Sequence, residues 1–241
     1  MKIPIYYIPK TRFKKFIFVE KKYNSRREII PIGCDCHPAY TLQKLNIRKK
    51  SLPFDWLNTE SIKGLEFVSE NIKNNFKYFL RNLYINKRGH IVSEKYPYSE
   101  LMHEKKLIEQ KSNKEKFLRR IYRLKQLLNN DIYFLYNITS NSLQSEKNVD
   151  DFYQSVIEFK SQLKNNQILC IYIRYDESLN ENENHCKKLI TLLSNFRNIK
   201  ISNYVREKKK EGIWGNEKYY PALYKSLGIK INLTFPKIYI K

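Results

Sequence analysis

The chain has 241 residues, of which 41% are hydrophobic and 14% aromatic, enough to bury a sizeable core and too many for a disordered or fibrous chain. Lys and Arg number 46 against 24 Asp and Glu, a net charge of +22, so a polyanionic partner has to be weighed from the start. At about 150 residues per domain we expect a basic N-terminal extension over 1–27 and a single α/β domain over 28–241, and no run reaches the roughly 20 apolar residues of a bilayer span.

The charge is spread along the chain, with denser stretches at Lys10–Arg27, Lys105–Lys125 and Arg206–Lys210. Lys, Asn, Ile and Tyr are abundant and Gly is scarce at 6 residues. That pattern reads as compositional drift ahead of a polyanion footprint, which leaves nucleic acid a partner to consider but not the favoured one. The four cysteines, Cys34, Cys36, Cys170 and Cys186, make no disulfide scaffold and fit a reducing compartment. Pro4 and Pro9 interrupt the apolar N-terminus and no small-residue cleavage site follows, so we expect no signal peptide and a cytoplasmic location.

In chain order, Arg27–Ile32 reads as a short buried strand that runs into the loop Gly33-Cys-Asp-Cys-His37. Pro38 then sits in a first helical turn, with apolar residues at helical spacing to Leu45. A helical insertion is expected over about 59–128. It starts from Thr59 with Ile62, Leu65, Phe67, Val68 and Ile72 in phase, passes an irregular hairpin over 84–98, and ends in one long basic helix from Glu100 to Asn129. Beyond it, apolar strands at 131–137, 167–174 and 199–205 alternate with helices at 149–163 and 186–196, and 229–235 alternates as an edge strand does. Strand and helix in alternation predict a mostly parallel sheet flanked by helices, Rossmann-like, with the strand at 29–32 joining it.

Ligands of such sheets bind beyond the carboxyl ends of the strands, where the Gly33–His37 loop falls. A thiol at a helix N-terminus is favoured as thiolate, which makes Cys36 a candidate nucleophile; the competing reading is a small buried thiol. Cys34, Cys36 and His37 lack the spacing of common zinc sites, so no metal and no cofactor is assigned. A cysteine nucleophile needs a base, most often His, and a group that orients it. His103 is the preferred base, read as opening the long basic helix, and Asp55 and Asp35 are the carboxylates available to orient it. In Ser51-Leu-Pro-Phe-Asp-Trp-Leu57 the aromatics read as core, and Asp55 either as a buried carboxylate fixed by its neighbours or as a cap of the next helix. Arg119 and Arg123, four apart on one helix face, suit a phosphate or carboxylate. Trp214, between Gly212 and Gly215, suits a substrate wall.

Ile32-Gly33-x-x-Cys36, Ser51-x-Pro53-Phe54-Asp55-Trp56-Leu57, Phe76-x-x-Phe79-Leu80, His103 and Arg119-Arg120-x-x-Arg123 together resemble a family described as papain-like cysteine peptidases, with members in bacteria and large DNA viruses. The resemblance spans roughly residues 29–215. It implies Cys36 as nucleophile, His103 as general base and Asp55 as an orienting acid, hence a cysteine-dependent hydrolase or acyl-transferase. Two other classes stay open: a transferase that takes an anionic nucleotide-sugar in the sheet crevice, with Arg119, Arg123 and the Cys36 loop lining it, and a non-enzymatic polyanion binder. Substrate and oligomeric state are not readable from the sequence.

Overall fold

The computed structural model describes residues 1–179 and 182–240. The first residues form a hairpin, β1 (Lys2–Tyr7) and β2 (Lys14–Ser25). Then β3 (Glu28–Pro31) leads through the Gly33–Cys36 loop into α1 (His37–Lys44). The expected helical insertion is half sheet. It comprises β4 (Asn58–Thr59), α2 (Gly64–Lys73), β5 (Leu83–Ile85), β6 (Ile91–Ser93), β7 (Tyr96–Leu101) and α3 (Lys111–Leu127). The long basic helix therefore begins eleven residues later than its apolar spacing suggests. Tyr96–Leu101 is drawn into strand pairing with β4 and β6, and the buried Glu100 carboxylate accepts the amide N–H groups of Asn58 and Asn86. Downstream of α2, Asn75 and Phe76 take positive φ, which ends the helical path there.

The remainder alternates as its periodicity predicts: β8 (Ile132–Thr139), α4 (Glu146–Lys160), β9 (Gln167–Tyr175), α5 (Glu183–Ser194) and β10 (Ile199–Val205). Helix α4 opens on Ser145, whose hydroxyl accepts the Asn148 N–H at 3.2 Å, a standard N-cap. Two short helices, α6 (Lys208–Glu211) and α7 (Tyr220–Ser226), and the last strand β11 (Ile231–Ile240) complete the chain.

Three sheets result. The central one is parallel, in the order β10-β9-β8-β3, and two antiparallel sheets flank it, β1-β2-β11 and β4-β7-β6-β5. The chain is thus a mixed α/β fold with a parallel sheet, and the expected Rossmann-like, mostly parallel arrangement does not describe it. The physical difference lies in the strand order. A doubly wound sheet reverses direction at a switch point and so places helices on both faces. Here β3, β8, β9 and β10 follow one another across the sheet, and right-handed crossovers put α3, α4 and α5 on one face. The other face is covered by α1, which opens the long crossover from β3 to β8, and by α7, which follows the last parallel strand.

The period-two alternation of the strands divides the core accordingly. Ile30, Phe134, Tyr136, Ile138, Ile171 and Ile173 pack towards α2–α5, whereas Ile29, Leu135, Cys170, Tyr172 and Tyr204 pack towards α1 and α7. Phe54, in the segment before β4, ties the insertion to the first of these cores, with ring contacts to Phe67, Phe76 and Phe79 at 5.6–5.8 Å. No helix among the described residues is long and apolar enough to cross a membrane. Because Phe54 is 1% exposed, Phe54→Ala should cost about 3–5 kcal/mol of stability. A urea melt would read this as a lowered midpoint at unchanged slope, and a loss below about 1 kcal/mol would show that the aromatic cluster does not anchor the insertion.

Candidate active site

Backbone geometry brings the cysteine loop to the carboxyl end of the parallel sheet. Ile32 extends the β3 ladder by one bond, its N–H donating to Leu135 O at 2.9 Å. Gly33 follows where a side chain has no room, since a Cβ there would run into Asn137 Oδ1 and the Pro38 ring. Cys36 is then the N-cap residue of α1, with Pro38 in the first turn. The segment before β4 is clipped over this loop by the Thr59 N–H, which donates to Cys34 O at 2.7 Å.

Two groups face the Cys36 sulfur: His103 Nε2 at 3.5 Å and Leu57 O at 3.8 Å. His103 stands in the turn that follows β7 rather than at the start of a helix. The two-residue ladder between β4 and β7, Asn58 opposite Glu100, brings that turn alongside Leu57. The edge of Trp56 packs on the His103 ring, with centroids 6.1 Å apart and planes at 81°. Cys36 and His103 open onto a cleft of about 250 Å³ whose walls include Asn58, Met102, Arg174, Arg206, Ile213 and Trp214.

On the cleft floor lies a polar hub centred on the partly buried Asp35. Its Oδ1 accepts the His37 N–H at 2.9 Å and Asn137 Nδ2 at 3.0 Å, and its Oδ2 accepts Arg174 at 2.6 Å. Burial acts to raise the Asp35 pKa, but the Arg174 guanidinium and the His37 N–H overcome it and hold the carboxyl below the usual range. Desolvation acts to lower the Arg174 pKa, but the Asp35 charge and hydrogen bond, together with the other groups around it, push it up. Arg206 extends the hub, donating to Asp176 Oδ1 and to Ile213 O.

His37 is committed elsewhere. The Trp214 carbonyl, 3.1 Å from Nε2, can only accept, so Nε2 carries the proton, and Nδ1 accepts the Tyr172 hydroxyl at 2.6 Å. Burial first, then Arg174, pushes its pKa down to about 3. Both ring nitrogens are occupied, so His37 offers Cys36 no base. The cysteine itself departs from expectation. Burial, then the Asp35 charge, pushes the Cys36 thiol up to about 12 against the pull of its own backbone N–H. At a desolvated helix N-terminus beside a carboxylate the proton stays on sulfur, where the helix end alone predicts a thiolate. Cys34 is buried and also pushed up to about 12, and its sulfur takes the Ser61 hydroxyl at 3.3 Å. Cys34, Cys36 and His37 are turned to different partners, and among the described residues no cluster of three or more such ligands is arranged to hold a metal.

Of the residues singled out by sequence, Cys36, His103 and Trp214 share the cleft. Trp214 stacks on Tyr40 at 4.0 Å. Asp55 lies behind the wall: its carboxylate takes Arg48 and the Leu52 N–H, the latter at 3.0 Å, and it does not bond to His103. It is a buried carboxylate fixed by neighbours, not a helix cap, since α2 begins after Lys63. Burial, only partly offset by Arg48, pushes the Asp55 pKa up. Arg119 is exposed on α3 and Arg123 reaches Ser51 O at 3.4 Å; neither lines the cleft. The cationic groups that do, Arg174 and Arg206, went unread in the sequence. Their signal was an Arg directly at or after the end of an otherwise apolar strand, where a charge has no place unless it is paired.

His37 makes stability depend on pH. Its folded pKa is depressed from the ordinary 6.5 to about 3, so the stability it contributes is complete above about 6.5, declines as pH falls, and is lost through about 3. We expect several kcal/mol to disappear over that window in denaturant melts. His37→Gln, which keeps one donor and one acceptor, should flatten the slope; an unchanged slope would mean that His37 is not held neutral.

Comparison with known proteins places these features in a family. The family model described as "Putative papain-like cysteine peptidase" matches residues 27–198. Uncharacterized protein R408 of Acanthamoeba polyphaga mimivirus is 44% identical over 50 residues, 21% of this chain and 21% of that protein, so the match spans about one fifth of the relative's length. No solved structure matches the chain. With the loop of Cys36, the Pro53–Leu57 segment and His103 all inside the matched region, the chain belongs to the papain-like cysteine peptidase family so described.

Proposed function

We propose that the chain is a cysteine-dependent hydrolase in which Cys36 is the nucleophile and His103 the general base. The observation that carries this reading is the 3.5 Å approach of Cys36 Sγ to His103 Nε2 at the mouth of a cleft, close to the reach a general base needs before substrate tightens the geometry. Because the thiol rests protonated, proton transfer accompanies attack. As Sγ closes on a substrate carbonyl carbon, His103 takes the thiol proton, and the Cys36 N–H at the start of α1 faces the developing oxyanion. Collapse breaks the acyl bond, His103 protonates the leaving group, and a thioester to Cys36 remains. Water, deprotonated by His103, then releases the acid; a different acceptor in its place makes the same site an acyl-transferase.

Asp55 acts in this scheme as a positioning residue. It holds Arg48, which lies over Trp56 at 5.4 Å, and Trp56 packs on His103. Among the described residues, no side chain bonds the second ring nitrogen of His103, so this packing chain takes the place of an orienting carboxylate. Preference for an anionic substrate, first attached to Arg119 and Arg123, passes to Arg174 and Arg206 on the cleft wall. Each already faces an acid, Asp35 or Asp176, which keeps that preference modest. The nucleotide-sugar transferase reading loses its support in the same step, since its two arginines lie outside the cleft.

Alkylation by iodoacetamide, followed by peptide mass spectrometry, tests the pair without knowledge of the substrate. Cys36 should be labelled ahead of Cys34, Cys170 and Cys186, and His103→Ala should slow Cys36 labelling by about 10²-fold, the usual worth of a general base. Equal rates in the wild type and His103→Ala would end the proposal. Asp55→Asn should slow labelling less than His103→Ala does and shift its pH profile, as a displaced imidazole would, at unchanged reactivity of the other thiols.

A further inference from the structure

The β1-β2-β11 sheet has a docked end and a free end. At its base Tyr23 and Ile231 pack on the core beneath α1 and α7, and the Tyr23 N–H donates to Leu45 O at 3.0 Å. The rest projects, and no layer among the described residues covers it. Ile3, Ile17 and Ile240 lie in one cross-strand row and Val19 and Ile238 in the next. Ile3, Ile238 and Ile240 are exposed, as are Ile8 and Phe13 at the hairpin tip. Exposed aliphatic rows on a three-stranded sheet signal a missing partner.

Charge identifies the kind of partner. Residues 1–27 hold nine Lys and Arg against one acid, Glu20, a net +8 of the chain's +22. Elsewhere lysines are commonly paired, as Lys44 with Glu217 and Lys73 with Glu158. None of these nine makes an ion pair among the described residues, and Glu20 is taken up by the Tyr239 hydroxyl. Phe13 stands between Arg12 and Lys14, and Ile8 two residues before Lys10. Such a density of unpaired cations repels a second copy of itself. Exposed aliphatic side chains, Ile3, Ile5, Ile8, Leu233, Ile238 and Ile240, outnumber the exposed rings of Tyr6, Tyr7, Phe13 and Phe235, and the sheet's central aromatics are engaged with one another, Phe18 on Tyr239 at 5.3 Å, with Lys2 over Phe16 at 3.9 Å. Bases stack on free aromatic rings; isoleucines beside lysines match acyl chains beneath anionic headgroups.

We propose that the projecting end of this sheet docks on an anionic lipid surface, with Ile8 and Phe13 entering the interface and Lys10, Arg12, Lys14 and Lys15 on the headgroups. The test is flotation of the full chain with vesicles of equal parts phosphatidylcholine and phosphatidylserine, and with phosphatidylcholine alone. Binding is expected only to the anionic vesicles, weakened about tenfold or more both by Ile8→Ala with Phe13→Ala and by Lys14→Glu with Lys15→Glu. These side chains face solvent, so each variant should melt with the wild type. No binding to anionic vesicles at low salt overturns the proposal. It is also overturned if the Ile8/Phe13 variant binds vesicles as well as wild type while an oligo-dT strand displaces them, which makes the sheet a nucleic-acid face. Lipid-free dimers that dissociate in the Ile8/Phe13 variant overturn it as well, in favour of a second copy.

Discussion

The contact between Asp35 and Arg174 is the constraint on which the site depends. Arg174 is the buried penultimate residue of β9, and Asp35 lies on the loop that leaves β3, two strands away. Asn137 on the intervening β8 joins them, so one carboxylate ties three strand ends to the loop that carries Cys36. A buried pair of this kind contributes little net stability over an apolar replacement, but removal of one partner leaves a desolvated charge, at a cost of about 3–5 kcal/mol. What the pair secures is position. The same carboxylate accepts the His37 N–H, fixing the start of α1 and with it the direction of Cys36.

The second half of the site arrives by a different route. A parallel neighbour for β3 requires a long crossover, and the chain uses it to build the β4-β7-β6-β5 sheet. That sheet's shortest strand matters most here. β4 is two residues long, yet it anchors Leu57 above the Cys36 sulfur and aligns β7 so that its following turn delivers His103. Phe54 buries the preceding segment and Asp55 stiffens it through Arg48, so the Pro53–Leu57 sequence reads as a structural bracket that holds the two halves at a fixed distance.

Legibility in the sequence followed the range of the forces involved. The strands at 131–137, 167–174 and 199–205 are continuous apolar runs between helices with clear periodicity, and local pattern sufficed to find them. Glu100–Gln110 carries helical spacing as well, but its first residues are claimed by partners in β4 and β6 that no local window contains. The strand order, which removes the Rossmann-like switch point, is a long-range property for the same reason. In the candidate site the reactive residue types stood out: a thiol at a strand-to-helix turn, a histidine, a tryptophan in a glycine-flanked turn. Arg174 and Arg206 did not, since their place in the cleft depends on how β9 and β10 lie beside β3. For Asp55 the local sequence leaves burial and helix capping both open, and its partner Arg48, seven residues earlier, carries no local signal.

The protonated thiol changes how the helix N-terminus should be understood. A resting thiolate would draw on the helix dipole and the free N–H groups in the ground state, where their stabilisation lowers reactivity as much as it aids ionisation. Burial, then the Asp35 charge, hold the proton on sulfur in the resting protein. The dipole and the Cys36 N–H then act fully only when negative charge appears on a bound carbonyl oxygen, which is where stabilisation accelerates a reaction. Water and oxidants meet the neutral sulfur of a residue that is only 8% exposed, with little nucleophilicity of its own. A carbonyl held in the cleft beside His103 meets one that becomes nucleophilic as its proton leaves. In the proposed chemistry, selectivity thus begins with the proton and the small cleft that controls its transfer, before any side chain of the substrate is read.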